Sequence, residues 1–376
     1  MIKLLKNILL EIKFFFRSLD VLIESKKEIP KIIFFSENKS YQKYLKILID
    51  TTAEMYPNKI YYLSMDRQDI IYDDRIKNFY INPFLINFIF SNINAENLIL
   101  TLTDLDNNLL KKTKNIKKYI YYFHAPVSTT KNYTSGAFDN YDTIMCIGQF
   151  QINEIRLREN LKKLKKKNLI STGYFYFDYL QKNLKKNISP DEILIAPSWN
   201  KHLKNFINEN FILLTESLLR KNFKVIFRPH PEHFKRSKNI LNKMERIFNK
   251  NFKIDYDDNN IVSMQKAKCL ITDSSGIAIE YMVVLKRPVL YLDEYDKIHN
   301  SDYQDFKSLN TLDNEFKKNF GYFFKKEDFN KIERVINLAQ SNFNINKNNF
   351  DNFVKSHYFN FGCTKEFLYT KLKDIL

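Results

Sequence analysis

Two segments of the chain place residues that can bind phosphate directly after apolar runs. Residues 224–232 are Lys-Val-Ile-Phe-Arg-Pro-His-Pro-Glu, and residues 270–280 are Leu-Ile-Thr-Asp-Ser-Ser-Gly-Ile-Ala-Ile-Glu. The apolar residues predict buried strands that end at the polar residues, and the second segment continues into a predicted helix. In an open α/β sheet, ligands bind beyond the carboxyl ends of the strands, where helix N-termini attract anions. The two segments therefore predict a phosphate-binding site.

His230 is the candidate catalytic residue of the first segment. It follows the strand predicted through Phe227 and lies between two prolines, which fix the local backbone. Its imidazole could donate a hydrogen bond to a phosphate oxygen, and the Arg228 guanidinium could bind or orient the same group. A purely structural histidine at the end of a strand is the alternative.

The second segment offers hydroxyl groups and backbone N–H groups at a helix start. Its candidate substrate-binding residues are Thr272, Asp273, Ser274, Ser275 and Gly276. These residue types also cap ordinary helices, so the motif alone would indicate only an N-cap. Its position between an apolar strand and a helix favours a phosphate-binding turn.

A third candidate region lies in the N-terminal half. His124 follows the strand predicted at residues 119–123 and opens a hydroxyl-rich loop, residues 128–133. An imidazole that titrates near neutrality suits a general base, and a structural histidine is the alternative. Lys131 could neutralise phosphate, as any loop lysine could.

The remaining polar candidates are weaker. His202 and His233 are secondary candidates, and His233 is expected at the surface beside the helix that follows it. No His, Cys or carboxylate cluster has metal-ligand spacing, so no metal site is predicted.

The composition is that of a globular protein with a basic surface. The chain has 376 residues, 44% of them hydrophobic and 27% charged, which favours two domains with substantial cores. Its net charge of +17 favours anionic partners such as nucleotides, phosphorylated polymers or anionic lipid. Nucleic acid is not an expected partner, because the patterning of RNA-binding modules is missing. The widely spaced Cys146, Cys269 and Cys363 predict no disulfide framework, so a reducing cytoplasm is the expected compartment.

Strand and helix patterns alternate along the chain, as is typical of parallel sheets covered by helices. The predicted strands are residues 31–35, 60–63, 97–102, 119–123, 143–147, 192–196, 224–227, 268–272 and 288–292. The predicted helices between them include residues 41–55, 203–221, 237–250 and 276–286. The Lys- and Asn-rich stretch between residues 160 and 190 is the expected linker between two doubly wound domains. Residues 341–376 are expected to form helices packed across the domains.

Residues 1–25 are predicted to form a basic amphipathic helix. Its apolar residues recur at spacings of three and four, with cations elsewhere around the helix: Ile2, Leu5, Leu9, Ile12, Phe16 and Leu19. Charges interrupt this stripe well before the ~20 apolar residues that a membrane span needs, and no small-residue cleavage site follows. The helix could lie in the inner membrane interface or pack on the protein's own domain. The Lys- and Arg-rich residues 156–167 could be a solvated helix face or add to the attraction for anionic lipid.

Four ordered motifs resemble the catalytic half of the CDP-glycerol:poly(glycerophosphate) glycerophosphotransferase family, which contains teichoic-acid and capsule polyol-phosphate transferases. The motifs are Ile-Ala-Pro-Ser-Trp at residues 195–199, Arg-Pro-His-Pro at 228–231, Thr-Asp-Ser-Ser at 272–275, and Lys-Arg-Pro-Val-Leu-Tyr at 286–291. The chain departs from the family at Ser274 and Gly276, where an aromatic residue and a second hydroxyl are frequent. It also has Ala125 where a glycine commonly follows the first-domain histidine.

The resemblance implies an α/β fold of GT-B architecture, in which two doubly wound Rossmann-like domains face a cleft. It implies an N-terminal acceptor-side domain at residues 26–178 and a C-terminal nucleotide-donor-binding domain at residues 179–340. In this family His124 would be the general base that faces the donor. Glu280 would match the carboxylate that binds ribose hydroxyls in GT-B enzymes, an exposed helical glutamate without a partner being the alternative. No cofactor is expected.

The implied activity is transfer of glycerol phosphate, or a related polyol phosphate, from a CDP-activated donor to a hydroxyl of a surface-polysaccharide or lipid-linked acceptor. The implied location is the cytoplasmic side, peripheral to the inner face of the membrane. A GT-B glycosyltransferase or a nucleotide-sugar epimerase is a second interpretation. A catalytically inactive membrane-surface scaffold is a third, and the retention of His124, His230 and Ser275 argues against it.

Overall fold

The computed structural model describes residues 2–107, 110–199, 209–248, 250–292 and 298–376, and the side chains from residue 9 onward within these ranges except that of residue 209. The chain forms two compact units. The first unit contains Met1–His124, Tyr133–Tyr179 and Tyr358–Leu376, and the second contains Ala125–Asn132 and Leu180–His357. The first unit is therefore built from three segments of the chain and the second from two.

The first unit contains a parallel sheet of seven strands. In chain order these are β1 (Ile32–Ser36), β2 (Ile60–Ser64), β3 (Ile76–Tyr80), β4 (Ala95–Leu100), β5 (Ile116–Tyr122), β6 (Thr143–Cys146) and β7 (Asn168–Ser171). Their order across the sheet is β3-β2-β1-β4-β5-β6-β7. Interior strands such as β1 and β2 are buried along their whole length, which explains their continuous apolar runs.

The helices of the first unit cover this sheet. They are α1 (Ile2–Arg17), α2 (Asp20–Lys27), α3 (Lys39–Met55), α4 (Ile86–Asn92), α6 (Gln149–Leu161), α7 (Phe175–Lys182) and α15 (Thr364–Ile375), with α7 continuing into the first residues of the second unit. Helix α15 packs against α3 and adds Leu368, Leu372 and Ile375 to the core. The chain returns to this unit beside Gly173, which has a φ of +89° and where a Cβ would collide with the Phe359 carbonyl.

The second unit contains a parallel sheet of six strands. These are β8 (Glu192–Ile195), β9 (Lys224–Phe227), β10 (Phe252–Ile254), β11 (Ala267–Thr272), β12 (Val289–Leu292) and β13 (Gly321–Phe324), in the order β10-β9-β8-β11-β12-β13. Its helices are α5 (Thr129–Asn132), α8 (Glu209–Arg220), α9 (Pro231–Arg236), α10 (Lys238–Ile247), α11 (Ile261–Lys266), α12 (Ile277–Leu285), α13 (Leu312–Phe320) and α14 (Ile332–His357), with two 3-10 helices at Tyr303–Phe306 and Lys326–Lys331. The strand order reverses between β8 and β11, and ligands bind at such a point in open α/β sheets.

All nine predicted strands are confirmed, as β1, β2, β4, β5, β6, β8, β9, β11 and β12. Three findings concern organisation. The expected linker between residues 160 and 190 contains β7 and α7, and the boundary between the two units falls within it, after Tyr179. Residues 125–132 belong to the second unit rather than to the first. The C-terminal helices are divided, since α14 belongs to the second unit and α15 to the first.

Helix α1 contacts the first unit through one face. The Phe14 ring packs edge-on against Tyr80, with ring centroids 5.6 Å apart, and Arg67 donates to Glu11 at 2.8 Å. Leu9, Ile12 and Phe16 lie on the opposite face and are 63%, 47% and 61% exposed. Among the described residues, no helix combines the length and apolar character needed to cross a bilayer. The predicted stripe is therefore exposed at Leu9, Ile12 and Phe16, whereas Leu19 follows the end of α1 and is half-buried. The single helix predicted over residues 1–25 is divided into α1 and α2, and the side chains of Ile2 and Leu5 lie outside the described residues.

The basic run at residues 156–167 is not simply a solvated face. Arg158 forms two hydrogen bonds of 2.8 Å with the Asp139 carboxylate, and Arg156 pairs with Glu159. Lys167 is buried, with its Nζ 3.8 Å from Glu159. These contacts account for part of the positive charge of the run within the first unit itself.

Candidate functional site

The turns that follow β8 and β11 are tied together at the reversal point of the second sheet. The Asp273 carboxylate accepts hydrogen bonds from the Ser198 N–H at 2.8 Å and from the Ser198 hydroxyl at 2.9 Å. The Thr272 hydroxyl donates to the Ala196 carbonyl at 2.6 Å. Thr272 and Asp273 are both buried. These two predicted binding residues therefore shape the turn on which the next residues lie.

Ser274, Ser275 and Gly276 lie at the start of α12. The Ser274 hydroxyl accepts a hydrogen bond of 2.7 Å from the Lys317 ammonium, which comes from the last turn of α13. Gly276 has an ordinary helical φ of −60°, and a Cβ there would lie 3.6 Å from Ala125 and Val127. Its backbone conformation therefore does not require glycine.

The loop after His124 is fixed to the second unit by Asp313. This carboxylate accepts the Ser128 N–H at 2.8 Å and the Asn132 side-chain amide at 3.1 Å. The neighbouring Asn314 accepts a hydrogen bond of 2.9 Å from Lys131, whose side chain is buried. Asn300 donates to the Thr130 carbonyl at 2.9 Å. The predicted phosphate-neutralising Lys131 is thus held within the second unit.

These segments enclose one small cavity. Its volume is about 10 Å³, which corresponds to about one water molecule or one phosphate oxygen. The residues that line it come from the loop after His124, the turn before α12, β12 and α13: Lys131, Asn132, Ser274, Ser275, Ile279, Tyr291, Asp313 and Lys317. The structure therefore brings three predicted binding residues, Lys131, Ser274 and Ser275, to one place.

The electrostatics of this cavity are those of a buried, mixed-charge cluster. Burial raises the pKa of Asp313, while its hydrogen bond from Ser128 and the nearby Lys131 and Lys317 lower it. Burial also raises the pKa of Tyr291, whose ring centroid lies 5.3 Å from the Lys317 ammonium. Among the described residues that line the cavity, two ammonium groups accompany one carboxylate, a balance that suits an anionic ligand.

Glu280 lies in α12 with its side chain buried. Its carboxylate accepts a hydrogen bond of 3.3 Å from the Asn260 side chain, and Asn260 is buried as well. The alternative of an exposed glutamate without a partner is therefore wrong for this residue.

Arg228 and His230 of the Arg-Pro-His-Pro motif make different contacts. The Arg228 guanidinium donates to Asp255 at 2.6 Å and to the Asp257 carbonyl at 2.8 Å, so it fixes the loop after β10. His230 is the N-cap of α9, and its Nδ1 accepts the Glu232 N–H at 3.2 Å. A neutral imidazole that accepts at Nδ1 carries its proton on Nε2, where it can donate to a ligand.

His230, Ser274 and Ser275 all lie beyond the carboxyl ends of strands in the second sheet. His230 follows β9, the two serines follow β11, and only β8 lies between these strands. Two strand spacings correspond to about 10 Å between strand axes. This distance is of the order spanned by a nucleotide diphosphate with its attached group.

Of the two secondary candidate histidines, only His233 lies among the described residues. His233 is fully buried, with its Nε2 3.1 Å from the Ser198 carbonyl and its Nδ1 3.3 Å from the Ser237 hydroxyl. The expectation that it lies at the surface is therefore wrong, and it supports the turn after β8. His202 lies outside the described residues.

His124 lies in the first unit, at the end of β5, surrounded by tyrosines. Its ring centroid is 5.3 Å from that of Tyr41 and 6.2 Å from that of Tyr133, and its carbonyl accepts the Tyr174 hydroxyl at 3.0 Å. Its Nδ1 is buried and has no hydrogen-bond partner among the described residues. Burial lowers the pKa of His124 to about 4, and a backbone hydrogen bond to Thr101 opposes this only in part. This lowered pKa departs from the titration near neutrality that the sequence led us to expect.

Asp313 and Lys317 are the cavity residues that sequence reasoning missed. Both belong to α13, which follows residue 310 and carries no recognisable phosphate motif. Their proximity to Ser274 depends on the path of the chain between β12 and β13. Among the described residues, no group of three or more His, Cys, Asp or Glu side chains is arranged to hold a metal ion.

Comparison with known proteins identifies the family of the chain. The family model described as CDP-Glycerol:Poly(glycerophosphate) glycerophosphotransferase matches residues 21–311. The chain belongs to this family. The resemblance deduced from the four motifs is therefore confirmed, and the match extends well beyond them on the N-terminal side.

One curated relative of this glycerophosphotransferase family member is the minor teichoic acid biosynthesis protein GgaB of Bacillus subtilis (strain 168). It is 25% identical over 174 residues, which cover 39% of this chain and 18% of GgaB. The aligned region thus spans less than a fifth of the length of that relative.

Solved structures share the fold of this glycerophosphotransferase family member. The wall teichoic acid polymerase TagF, as a histidine-to-alanine variant, matches with a TM-score of 0.59 at 18% identity, over 100% of this chain and 97% of that chain. A histidine-to-asparagine TagF variant soaked with CDPG gives 0.57 at 18% identity, over 100% and 96%. A putative UDP-N-acetylglucosamine 2-epimerase from Listeria monocytogenes gives 0.58 at 11% identity, over 92% and 96%. These likenesses confirm the α/β fold of GT-B type, with two parallel sheets.

Proposed function

We propose that this protein transfers glycerol phosphate, or a related polyol phosphate, from a CDP-activated donor to a hydroxyl of a surface-polysaccharide or lipid-linked acceptor. The observation that carries the proposal is the family match over residues 21–311, which spans most of both units. The cavity at the start of α12, with its serine hydroxyls and lysines, supports an anionic donor.

The proposed reaction is a displacement at phosphorus. The acceptor hydroxyl oxygen attacks the distal phosphorus of the CDP-activated donor, a new P–O bond forms, and the bond to the CMP oxygen breaks with its electron pair leaving on CMP. The hydroxyl proton passes to a general base, for which we propose His124. Because its pKa is about 4, His124 is unprotonated at neutral pH and is able to accept a proton.

The second unit is proposed to bind the donor. Ser274, Ser275 and Lys131 would bind diphosphate oxygens, and the Nε2–H of His230 would stabilise charge on the transferred group. Glu280 would accept hydrogen bonds from the ribose hydroxyls after exchanging its contact with Asn260. Thr272, Asp273 and Arg228 act through the turns that they hold in place.

Nucleotide release tests this proposal directly. Purified protein is incubated with CDP-glycerol, CDP-ribitol and UDP-N-acetylglucosamine, each with and without a glycan-phosphate acceptor. We expect acceptor-dependent release of CMP from a CDP-polyol and no release of UDP. Turnover of the UDP-sugar alone would instead favour the glycosyltransferase or epimerase function, which the fold equally accommodates.

We also propose that the protein associates peripherally with the inner face of the membrane through α1. Leu9, Ile12 and Phe16 form an exposed apolar stripe, and Lys13 and Arg17 flank it. Phe84 and Phe88 follow β3, the strand that α1 contacts, and are also exposed, Phe84 to 93%. Apolar insertion together with cations attracted to anionic lipid gives reversible, salt-sensitive binding.

A triple variant, Leu9→Ser, Ile12→Ser and Phe16→Ser, tests this membrane contact. We expect it to lose most of its co-sedimentation with anionic vesicles and its activity on a lipid-linked acceptor, while activity on a soluble acceptor remains. Ile345→Ser is the matched control, because Ile345 is 79% exposed on α14 and far from α1 in the chain. Unchanged sedimentation of the triple variant at physiological salt would leave the exposed part of residues 156–167 as the membrane-binding element.

A further inference from the structure

We propose that Lys317 is a further donor-binding residue, and that its ammonium group binds the diphosphate of the nucleotide donor in the cavity at the start of α12. The inference rests on the proposed function for the class of donor. It adds a residue that none of the sequence motifs contains, on a helix that begins after residue 311.

The Lys317 ammonium lies at the turn where a phosphate would bind. It donates to the Ser274 hydroxyl at 2.7 Å, and so it reaches from α13 to the turn that begins α12. A phosphate oxygen bound at this turn would lie within reach of both groups. A phosphate oxygen carries negative charge and attracts the ammonium more strongly than a neutral hydroxyl does, so the anion would displace Ser274 as acceptor.

The Lys317 side chain lies against the buried Tyr291 ring. One side of its ammonium faces the Tyr291 ring, 5.3 Å from the centroid, and Tyr291 is buried. Gly321 leaves room for this ring, because a Cβ at position 321 would overlap Tyr291 ring atoms and the Lys317 carbonyl. The side chain is therefore held against an apolar wall with its charge directed to the cavity, where low solvent access strengthens its attraction for an anion.

The size and charge of the cavity suit part of a phosphate group. A volume of about 10 Å³ accommodates one oxygen atom, not a nucleotide, so only part of a phosphate group enters it. Asp313 offsets one positive charge, and it is already engaged by Ser128 and Asn132. Among the described residues that line the cavity, two lysines face this single carboxylate, and a diphosphate would balance their charge.

A pair of adjacent lysines provides a matched test in the full-length protein. Lys317→Met removes the proposed ligand, and Lys318→Met removes the same charge from an exposed neighbour on the same helix. Calorimetry with CDP and with CDP-glycerol should show affinity at least tenfold weaker for Lys317→Met, within twofold of wild type for Lys318→Met, and largely restored for Lys317→Arg. The salt dependence of CDP binding should also fall for Lys317→Met only.

Two readouts separate ligand binding from a structural role. Thermal unfolding of Lys317→Met should stay close to that of Lys318→Met, and Lys317→Arg keeps the charge if methionine disturbs packing. Equal CDP affinity of the two methionine variants would overturn the inference. So would weak CDP binding by both Lys317→Met and Lys317→Arg if the salt dependence of binding is unchanged. If wild type binds UDP-sugars and ignores CDP-glycerol, the proposed function fails, and the same comparison made with UDP still decides the role of Lys317.

Discussion

The two candidate catalytic histidines differ in what surrounds their ring nitrogens. His230 caps α9 through Nδ1, so its position is fixed by the helix that it begins. His124 lies among aromatic rings, and its buried Nδ1 has no partner among the described residues. A neutral histidine whose Nδ1 accepts a hydrogen bond carries its proton on Nε2, whereas a desolvated, unprotonated one suits proton acceptance.

The pH dependence of stability should report the burial of His124. Its pKa is lowered from 6.5 to about 4 in the folded protein, so the unfolded chain takes up a proton at higher pH than the folded one. Stability from this residue is therefore complete above pH 6.5 and is lost as the pH falls toward 4, by roughly 1–3 kcal/mol. Urea unfolding at pH 7.0 and pH 4.5 should show a larger loss for wild type than for His124→Gln. Identical losses would show that His124 is solvated in solution.

Substitutions at His230 should separate its capping and catalytic contributions. Asparagine is a good N-cap, so His230→Asn should retain stability yet lower turnover about 100-fold or more, because it lacks the Nε2–H. His230→Ala should show the same kinetic loss and also lower the free energy of unfolding by about 1 kcal/mol. Steady-state rates and urea unfolding of both variants give the comparison. Normal turnover of His230→Asn would remove His230 from the catalytic residues.

Only those site residues that belong to a local sequence motif could be predicted. Ser274, Ser275 and Lys131 were predicted from chain position and do line the cavity. Asp313 and Lys317 were not, since a lysine and an aspartate on an amphipathic helix have many possible roles. The low pKa of His124 was also not predictable, because it depends on tyrosines from several distant segments.

At the scale of elements, the strands that sequence patterning missed are the four sheet edges: β3, β7, β10 and β13. Interior parallel strands are buried on both faces and give continuous apolar runs. The edge strands are partly exposed; β7, for example, has no buried residue. Their mixed composition therefore resembles a loop, and β7 was mistaken for part of a linker for this reason.

Asp313 is expected to control the order of the loop that carries Lys131. Asp313→Ala leaves the Ser128 N–H and the Asn132 amide without their acceptor, which should cost about 1–3 kcal/mol. Hydrogen exchange at the Ser128 amide should accelerate at least tenfold, and CDP affinity should fall. Glu327→Ala, at an exposed carboxylate of the same unit, is the control and should change none of these. Retained protection at Ser128 would show that Asn300 and Asn314 suffice to hold the loop.

At the scale of the whole molecule, neither compact unit corresponds to one continuous piece of chain. The second unit takes Ala125–Asn132 from within the N-terminal half, and the first takes Tyr358–Leu376 from the C-terminal end of the sequence. The predicted domain ranges, residues 26–178 and 179–340, treat each unit as continuous. They could not anticipate these exchanges, which depend on contacts between residues far apart in the chain.

A fragment of residues 180–357 should therefore bind the donor more weakly than the full chain. It lacks Lys131 and Asn132 of the cavity, and it leaves the Asp313 carboxylate without its two donors. We expect CDP affinity at least tenfold weaker by calorimetry, together with a lower midpoint of thermal unfolding. Full-chain affinity in the fragment would show that the loop after His124 has no part in donor binding.

The divided first unit also has a consequence for biosynthesis. Its core is completed by Leu368, Leu372 and Ile375, which reach it only after the residues from 180 to 357 have been made. At about 5–20 residues per second, roughly 180 residues take on the order of 10–40 s to translate. During that interval the apolar side of α3 has no partner from α15 on the nascent chain. We expect the ribosome-bound intermediate to be a strong chaperone client until residues 364–375 have left the ribosome, although most of the first unit is synthesised earlier.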